Sequence, residues 1–84
     1  SDIDYNLEQD ILIDTIEVII EEMIADSKER YFQAVLFQMY AKDPNFSKIS
    51  REVGIPRTTI SRAVEDAKEY IKQQLKNRGI ENEL

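Results

Sequence analysis

The chain has 84 residues, no Cys, no His and a net charge of −6. Its length sets one small domain with a limited core, and its composition excludes disulfides, the usual zinc ligand sets and any acid–base chemistry built on histidine. No apolar run approaches the roughly 20 residues of a membrane span, and the opening SDIDYNLEQD is too acidic for a signal peptide, so a soluble, cytoplasmic protein with no membrane partner is expected.

Val and Ile recur at helical and not alternating spacing, which predicts an all-α fold, a small four-helix domain with helices over about 7–25, 27–42, 46–53 and 56–78. In the first helix, Leu12, Ile13, Ile16, Ile19, Ile20, Met23 and Ile24 share one broad face. Leu7, Ile11 and Val18 fall on nearly the opposite side, with Asp10, Asp14, Glu17 and Glu21 in a narrow stripe between. A surface helix needs only one apolar face. The second strip therefore suggests contact with another helix, from a protein partner or a second copy, unless residues 1–6 fold back over it. A small core without staples also favours a homo-oligomer.

Asp26, with Glu29 three residues on, fits a capping box that opens the second helix. Phe32, Val35, Leu36, Met39 and Tyr40 then repeat at threes and fours, read as core and not as a cofactor pocket. Asp43-Pro44-Asn45 ends this helix, and Asn45 is a good N-cap for the short third one. Gly54 closes the third helix, Ile55 plugs the corner and Pro56 launches the fourth. Ile49, Val53, Ile55, Ile60, Ala63 and Val64 can close on one another there, with small Ser50 and Ala63 allowing close approach. The fourth helix runs long, to Gly79 as its terminating glycine. Its stripe of Ile60, Val64, Ala67, Ile71 and Leu75 suits either packing on the first helix or a short coiled-coil seam, with Tyr70 packed beside it.

Charge is uneven along the chain. Residues 1–45 set Lys28, Arg30 and Lys42 against eleven carboxylates. Residues 46–78 hold eight basic side chains (Lys48, Arg51, Arg57, Arg62, Lys68, Lys72, Lys76 and Arg78) against four carboxylates, and the tail adds Glu81 and Glu83. Such asymmetry hints at polyanion binding by the basic half.

The segment FSKISREVGIPRTTISRAVE resembles the helix-turn-helix of bacterial and phage DNA-binding proteins, through Ser50, Gly54, Ile55, Ile60 and the Ala63-Val64 pair. Ser50 stands where alanine is commoner. With the preceding helix included, residues 29–71 resemble the C-terminal, promoter-reading domain of sigma factors. The resemblance covers about half the chain and divides it into an acidic N-terminal helix, 1–26, and a helix-turn-helix domain with a long last helix, 27–84. It implies that the helix starting near Pro56 enters the major groove of double-stranded DNA and reads bases from its N-terminal part. Carried over by position, the base-reading residues are Arg57, Thr58, Ser61, Arg62 and Glu65. Thr58, Ser61, Arg62 and Glu65 face away from the apolar stripe, whereas Arg57 lies nearer to it and reaches DNA by its length. Arg can bond guanine O6 and N7 together, Ser and Thr suit either partner, and Glu accepts from cytosine. Lys48, Arg51 and Thr59, with the first-turn amides, suit phosphate. The competing reading makes Arg57 and Arg62 solvated charges paired with Glu65 and Asp66.

Catalysis is not expected. There is no Gly-rich phosphate loop, and Asp10, Asp14, Glu17 and Glu21 lack the Glu-x-x-His that di-metal bundles add. A solvated acidic face is the simpler account of that stripe, and neither metal nor other cofactor is expected. Three functions remain: a DNA-binding domain acting in transcription, with RNA polymerase a further partner by resemblance; the small recognition subunit of a phage packaging terminase; or a protein-interaction module on the same scaffold.

Overall fold

The computed structural model describes the backbone of residues 2–80 and the side chains of residues 7–80. It contains four helices and no strand among these residues: α1 (Asp2–Asp26), α2 (Lys28–Lys42), α3 (Phe46–Val53) and α4 (Arg57–Asn77). The expected all-α, four-helix domain is what forms. No described helix is long and apolar enough to cross a membrane.

Helix ends differ in places from expectation, each for a local reason. α1 begins at Asp2, so residues 2–6 extend the helix and do not fold back over it. α2 is capped by Ser27 and not Asp26: the Ser27 hydroxyl accepts a hydrogen bond from the Arg30 amide at 3.1 Å. One residue thus separates α1 from α2, and the Asp26–Glu29 capping box does not form. Asn45 caps α3 as expected, accepting from the Lys48 amide at 3.0 Å. Pro56 sits just before α4, in extended geometry, so that helix starts at Arg57.

The far end of α4 closes in a Schellman turn. The Gly79 amide donates to the Lys76 carbonyl and the Ile80 amide to that of Leu75, with Gly79 at φ +78°. Ile80 then packs on the core. Glu81 and Glu83, counted above in the acidic tail, lie outside the described residues.

Two apolar clusters hold the helices together. The larger joins Ile19, Ile20 and Met23 of α1, Ala34 of α2, and Ala67, Ile71 and Leu75 of α4. The smaller joins Leu36 of α2, Ile49 of α3, and Ile60, Ala63 and Val64 of α4, with Ile55 against it. Phe37 packs on both, so α2 and α4 are walls common to the two. The stripe Ile60, Val64, Ala67, Ile71, Leu75 is fully used inside the chain, packing on the first helix in its second half. Of the two possibilities for this stripe, the coiled-coil seam is not the one taken. Tyr70 packs beside it.

Four residues expected in the core are at its edge. Ile13 and Ile24 flank the buried arc of α1 on the side of the acidic stripe and are exposed, as are Phe32 and Val53. Val35 is half-buried. α2 turns Gln33, Ala34 and Leu36 inward because it is covered from two directions, by α1 and α4 and by α3. A single-faced helical pattern does not anticipate that. Buried Gln33 is satisfied by the Arg30 guanidinium, which donates to its Oε1 at 2.8 Å and lies 4.0 Å from the centre of the Tyr70 ring.

Candidate nucleic-acid interface

The corner between α3 and α4 is built from Ser50 to Pro56. Gly54 takes the left-handed conformation, φ +71°, that a side chain would resist, and its amide closes on the Ser50 carbonyl at 2.8 Å. The Ser50 hydroxyl donates to the Ile55 carbonyl at 2.6 Å, pinning the turn from inside. Serine in place of alanine is therefore a structural choice: it satisfies a carbonyl that the turn takes out of the helix ladder. Ile55 is half-buried against the smaller cluster, as a plug should be. Tyr40 stacks on Phe46 at 4.7 Å between ring centres, and the Lys68 ammonium lies 5.3 Å from the Tyr40 ring centre, bracing α2, α3 and α4 behind the corner.

This bracing leaves the front of α4 open. Arg57, Thr58, Thr59, Arg62 and Glu65 are exposed and Ser61 is half-exposed. No side chain caps the helix; the amides of Thr59 and Ile60 both donate to the Pro56 carbonyl, at 3.0 and 3.1 Å. The Arg57 and Thr58 amides are the ones left without an intrahelical bond, which narrows the amides expected to meet phosphate to these two. Thr59 keeps its hydroxyl exposed but has its amide engaged.

The basic side chains separate into two groups. Lys48 bonds Asp43 at 3.0 Å, Lys68 pairs with Glu65 at 3.6 Å, Lys72 with Glu69 at 4.0 Å, and Arg78 reaches across to Glu22 on α1. The Asp43 hydrogen bond, with that carboxylate's charge and the more distant one of Glu52, holds the Lys48 ammonium above the ordinary lysine value. Arg51, Arg57 and Arg62 at the corner have no carboxylate partner among the described residues, and neither do Lys76 near the end of α4 or Lys28, Arg30 and Lys42 of α2. The expected alternative pairing of Arg57 and Arg62 with Glu65 and Asp66 is absent; Glu65 is turned to Lys68 instead. Lys48 is the phosphate candidate that the fold ties to a carboxylate.

Two partners of the site carry no signal in the sequence. Asp43 meets Lys48 because the Asp43-Pro44-Asn45 turn folds one toward the other. Ser47 accepts a hydrogen bond from Arg57 Nη1 at 3.2 Å, ten residues away across the corner. On α1, Asp10, Asp14, Glu17 and Glu21 are exposed, and no three carboxylates among the described residues are grouped as metal ligands would be. Leu7, Ile11 and Val18 are also exposed, at 58, 50 and 48%.

No protein-family model matches the chain, and neither a curated protein nor a solved structure matches it.

Proposed function

We propose that this chain binds double-stranded DNA as a helix-turn-helix domain acting in transcription, with the first turns of α4 laid in the major groove. The observation that carries this reading is the sorting of charge. Of the eight basic side chains in residues 46–78, this protein of net charge −6 leaves three arginines gathered around the α3–α4 corner without carboxylates and pairs Lys48, Lys68, Lys72 and Arg78, with Lys76 standing alone at the other end of α4. Unneutralised arginines on a braced, exposed corner suit a polyanion, and their forked donors suit phosphate and guanine. Arg57, Thr58, Ser61, Arg62 and Glu65 are the side chains that would meet the groove, and Arg51 the backbone.

The test is fluorescence anisotropy of a labelled random-sequence duplex at several salt concentrations, with an Arg57→Ala/Arg62→Ala variant alongside. Affinity should fall linearly on a log–log plot against salt as counterions are released, and the variant should bind more weakly at every salt. Absence of binding at low salt sinks the reading.

The exposed strip Leu7, Ile11 and Val18 favours a second role for the chain, in which α1 holds a protein partner such as RNA polymerase or a second copy. An assembly of ring size in solution would move the DNA-binding role from transcription to packaging. A monomer that binds no duplex would leave protein interaction as the function.

A further inference from the structure

We propose that the arginines of the corner divide the work: Arg57 grips backbone phosphate together with Ser47 and Arg51, and base reading falls to Arg62 with its neighbours on α4. This rests on the DNA-binding reading and reassigns Arg57 within it.

The first residue of α4 is bonded to the second residue of α3. Arg57 Nη1 donates to the Ser47 hydroxyl oxygen at 3.2 Å, so its guanidinium lies back over α3. Ser47 and Arg51 stand four residues apart on α3 and hence share a face. The bond therefore brings a second guanidinium toward the face that already carries Arg51, and no carboxylate pairs with either among the described residues. Two like charges on one face repel mildly in the free protein. An anion between them removes that cost.

The donor chemistry fits a phosphate. Ser47 accepts from Arg57 through a lone pair and keeps its own O–H to donate, and Arg57 keeps four further N–H groups. Both kinds of donor are used on phosphate oxygens, and such contacts set register without reading sequence. Guanine is different, because it takes two N–H groups of the arginine fork at once in a single plane. Its guanidinium lies back over α3, so Arg57 would have to swing forward to present such a fork to a base edge. Arg62 makes no hydrogen bond or ion pair with any described side chain and is exposed on the same helix face as Thr58. Its fork is free.

The experiment uses the full chain. A preferred duplex is first selected from a random pool, and anisotropy is then read against salt on it and on its single-base variants. Proteins compared are the wild type, Arg57→Ala, Arg57→Lys, Ser47→Ala, Arg62→Ala and the Ser47→Ala/Arg57→Ala double variant, each with its unfolding midpoint measured to establish that it is folded. Arg57→Ala should weaken every duplex by the same factor and lower the slope of log K against log salt by about 0.9. Arg57→Lys should restore most of the slope, since lysine still serves phosphate as a point charge. Ser47→Ala should weaken binding in the wild type but add little in the Arg57→Ala background. Arg62→Ala should erase preference at one base pair, by about tenfold or more.

If Arg57→Ala instead erases preference at one base pair and Arg57→Lys fails to rescue it, Arg57 reads bases and the division is wrong, while DNA binding stands. If the wild type prefers no duplex, the base-reading half fails. If it binds none at low salt, the DNA-binding reading falls and takes this inference with it.

Discussion

α4 is one uninterrupted helix whose two halves have different surroundings. From Arg57 to Glu65 its inner side seals the corner through Ile60, Ala63 and Val64, and its outer side carries Arg57 and Arg62 without carboxylates among the described residues. From Lys68 to the C-cap at Arg78 its inner side packs on α1 through Ala67, Ile71 and Leu75, and Lys68, Lys72 and Arg78 are all paired. The comparison teaches that total charge says little about what a small protein can bind. What matters is where the unpaired cations gather: Arg57 and Arg62 stand with Arg51 at the α3–α4 corner, whereas in the second half of α4 only Lys76 lacks a carboxylate partner among the described residues.

The strongest way to separate the halves is to damage the second one. Ile71 is fully buried in the cluster that ties α4 to α1. Ile71→Ala should cost about 2–5 kcal/mol through lost burial and the cavity left behind. That is a large part of the roughly 5–15 kcal/mol that holds a domain together, so the urea midpoint should drop steeply. Because Phe37 packs on both clusters, unfolding should remain one transition when followed by helix content and by tyrosine fluorescence. Two separate transitions would mean that the corner folds without α1.

A smaller effect is expected where the two helices meet. Gly54 has φ +71° with open space where a Cβ would stand, so a substitution there meets backbone strain and no clash. Gly54→Ala should cost about 1–2 kcal/mol, the usual penalty of a left-handed conformation for a residue with a Cβ. Gly54→Asn should cost less, because asparagine tolerates that region. Thermal unfolding of the two variants checks the order. Equal losses would point away from backbone conformation and toward a role for the glycine that open space does not explain.

Much of this architecture is legible in the sequence because it rests on local rules. Asn45, Gly54 and Gly79 mark helix ends by cap chemistry, and the α4 stripe follows from spacing alone. The misses come from contacts between elements. Phe32, Val35 and Val53 fit a one-faced helix, but α2 is covered from two directions and the end of α3 only in part, leaving Val53 37% exposed. Ser27 displaced Asp26 as a cap because α2 starts one residue later than a capping box would have it. At the candidate site, exposure of Thr58, Arg62 and Glu65 follows from the helical wheel. The Arg57–Ser47 bond and the Lys48–Asp43 pair depend on how the turns bend, which periodicity does not encode.

The Lys48–Asp43 pair marks the edge of the corner and gives a still smaller effect. The folded-state pKa of Lys48 is raised, so whatever the pair contributes is fully present below the ordinary lysine value of about 10.4 and is lost as pH rises through the folded value. Asp43→Asn should therefore lower the unfolding midpoint slightly at pH 7, and the difference from wild type should vanish in strong alkali. Both groups are half-exposed and the pair is screened by salt. A difference that persists at high pH would assign the loss to the turn and not to the charges.

The smallest expected effect tests the comparison most directly. Lys72 lies fifteen residues beyond Arg57 on α4, about 22 Å along the axis at 1.5 Å per residue. That exceeds the Debye length of about 8 Å at physiological salt, and the Lys72 charge already faces Glu69 at 4.0 Å. Lys72→Gln should leave both duplex affinity and its salt slope unchanged, although it removes the same charge as Arg57→Ala. A slope that falls by about one unit would mean that phosphate also reaches the second half of α4. The DNA would then lie along the helix, and the two halves would share one interface.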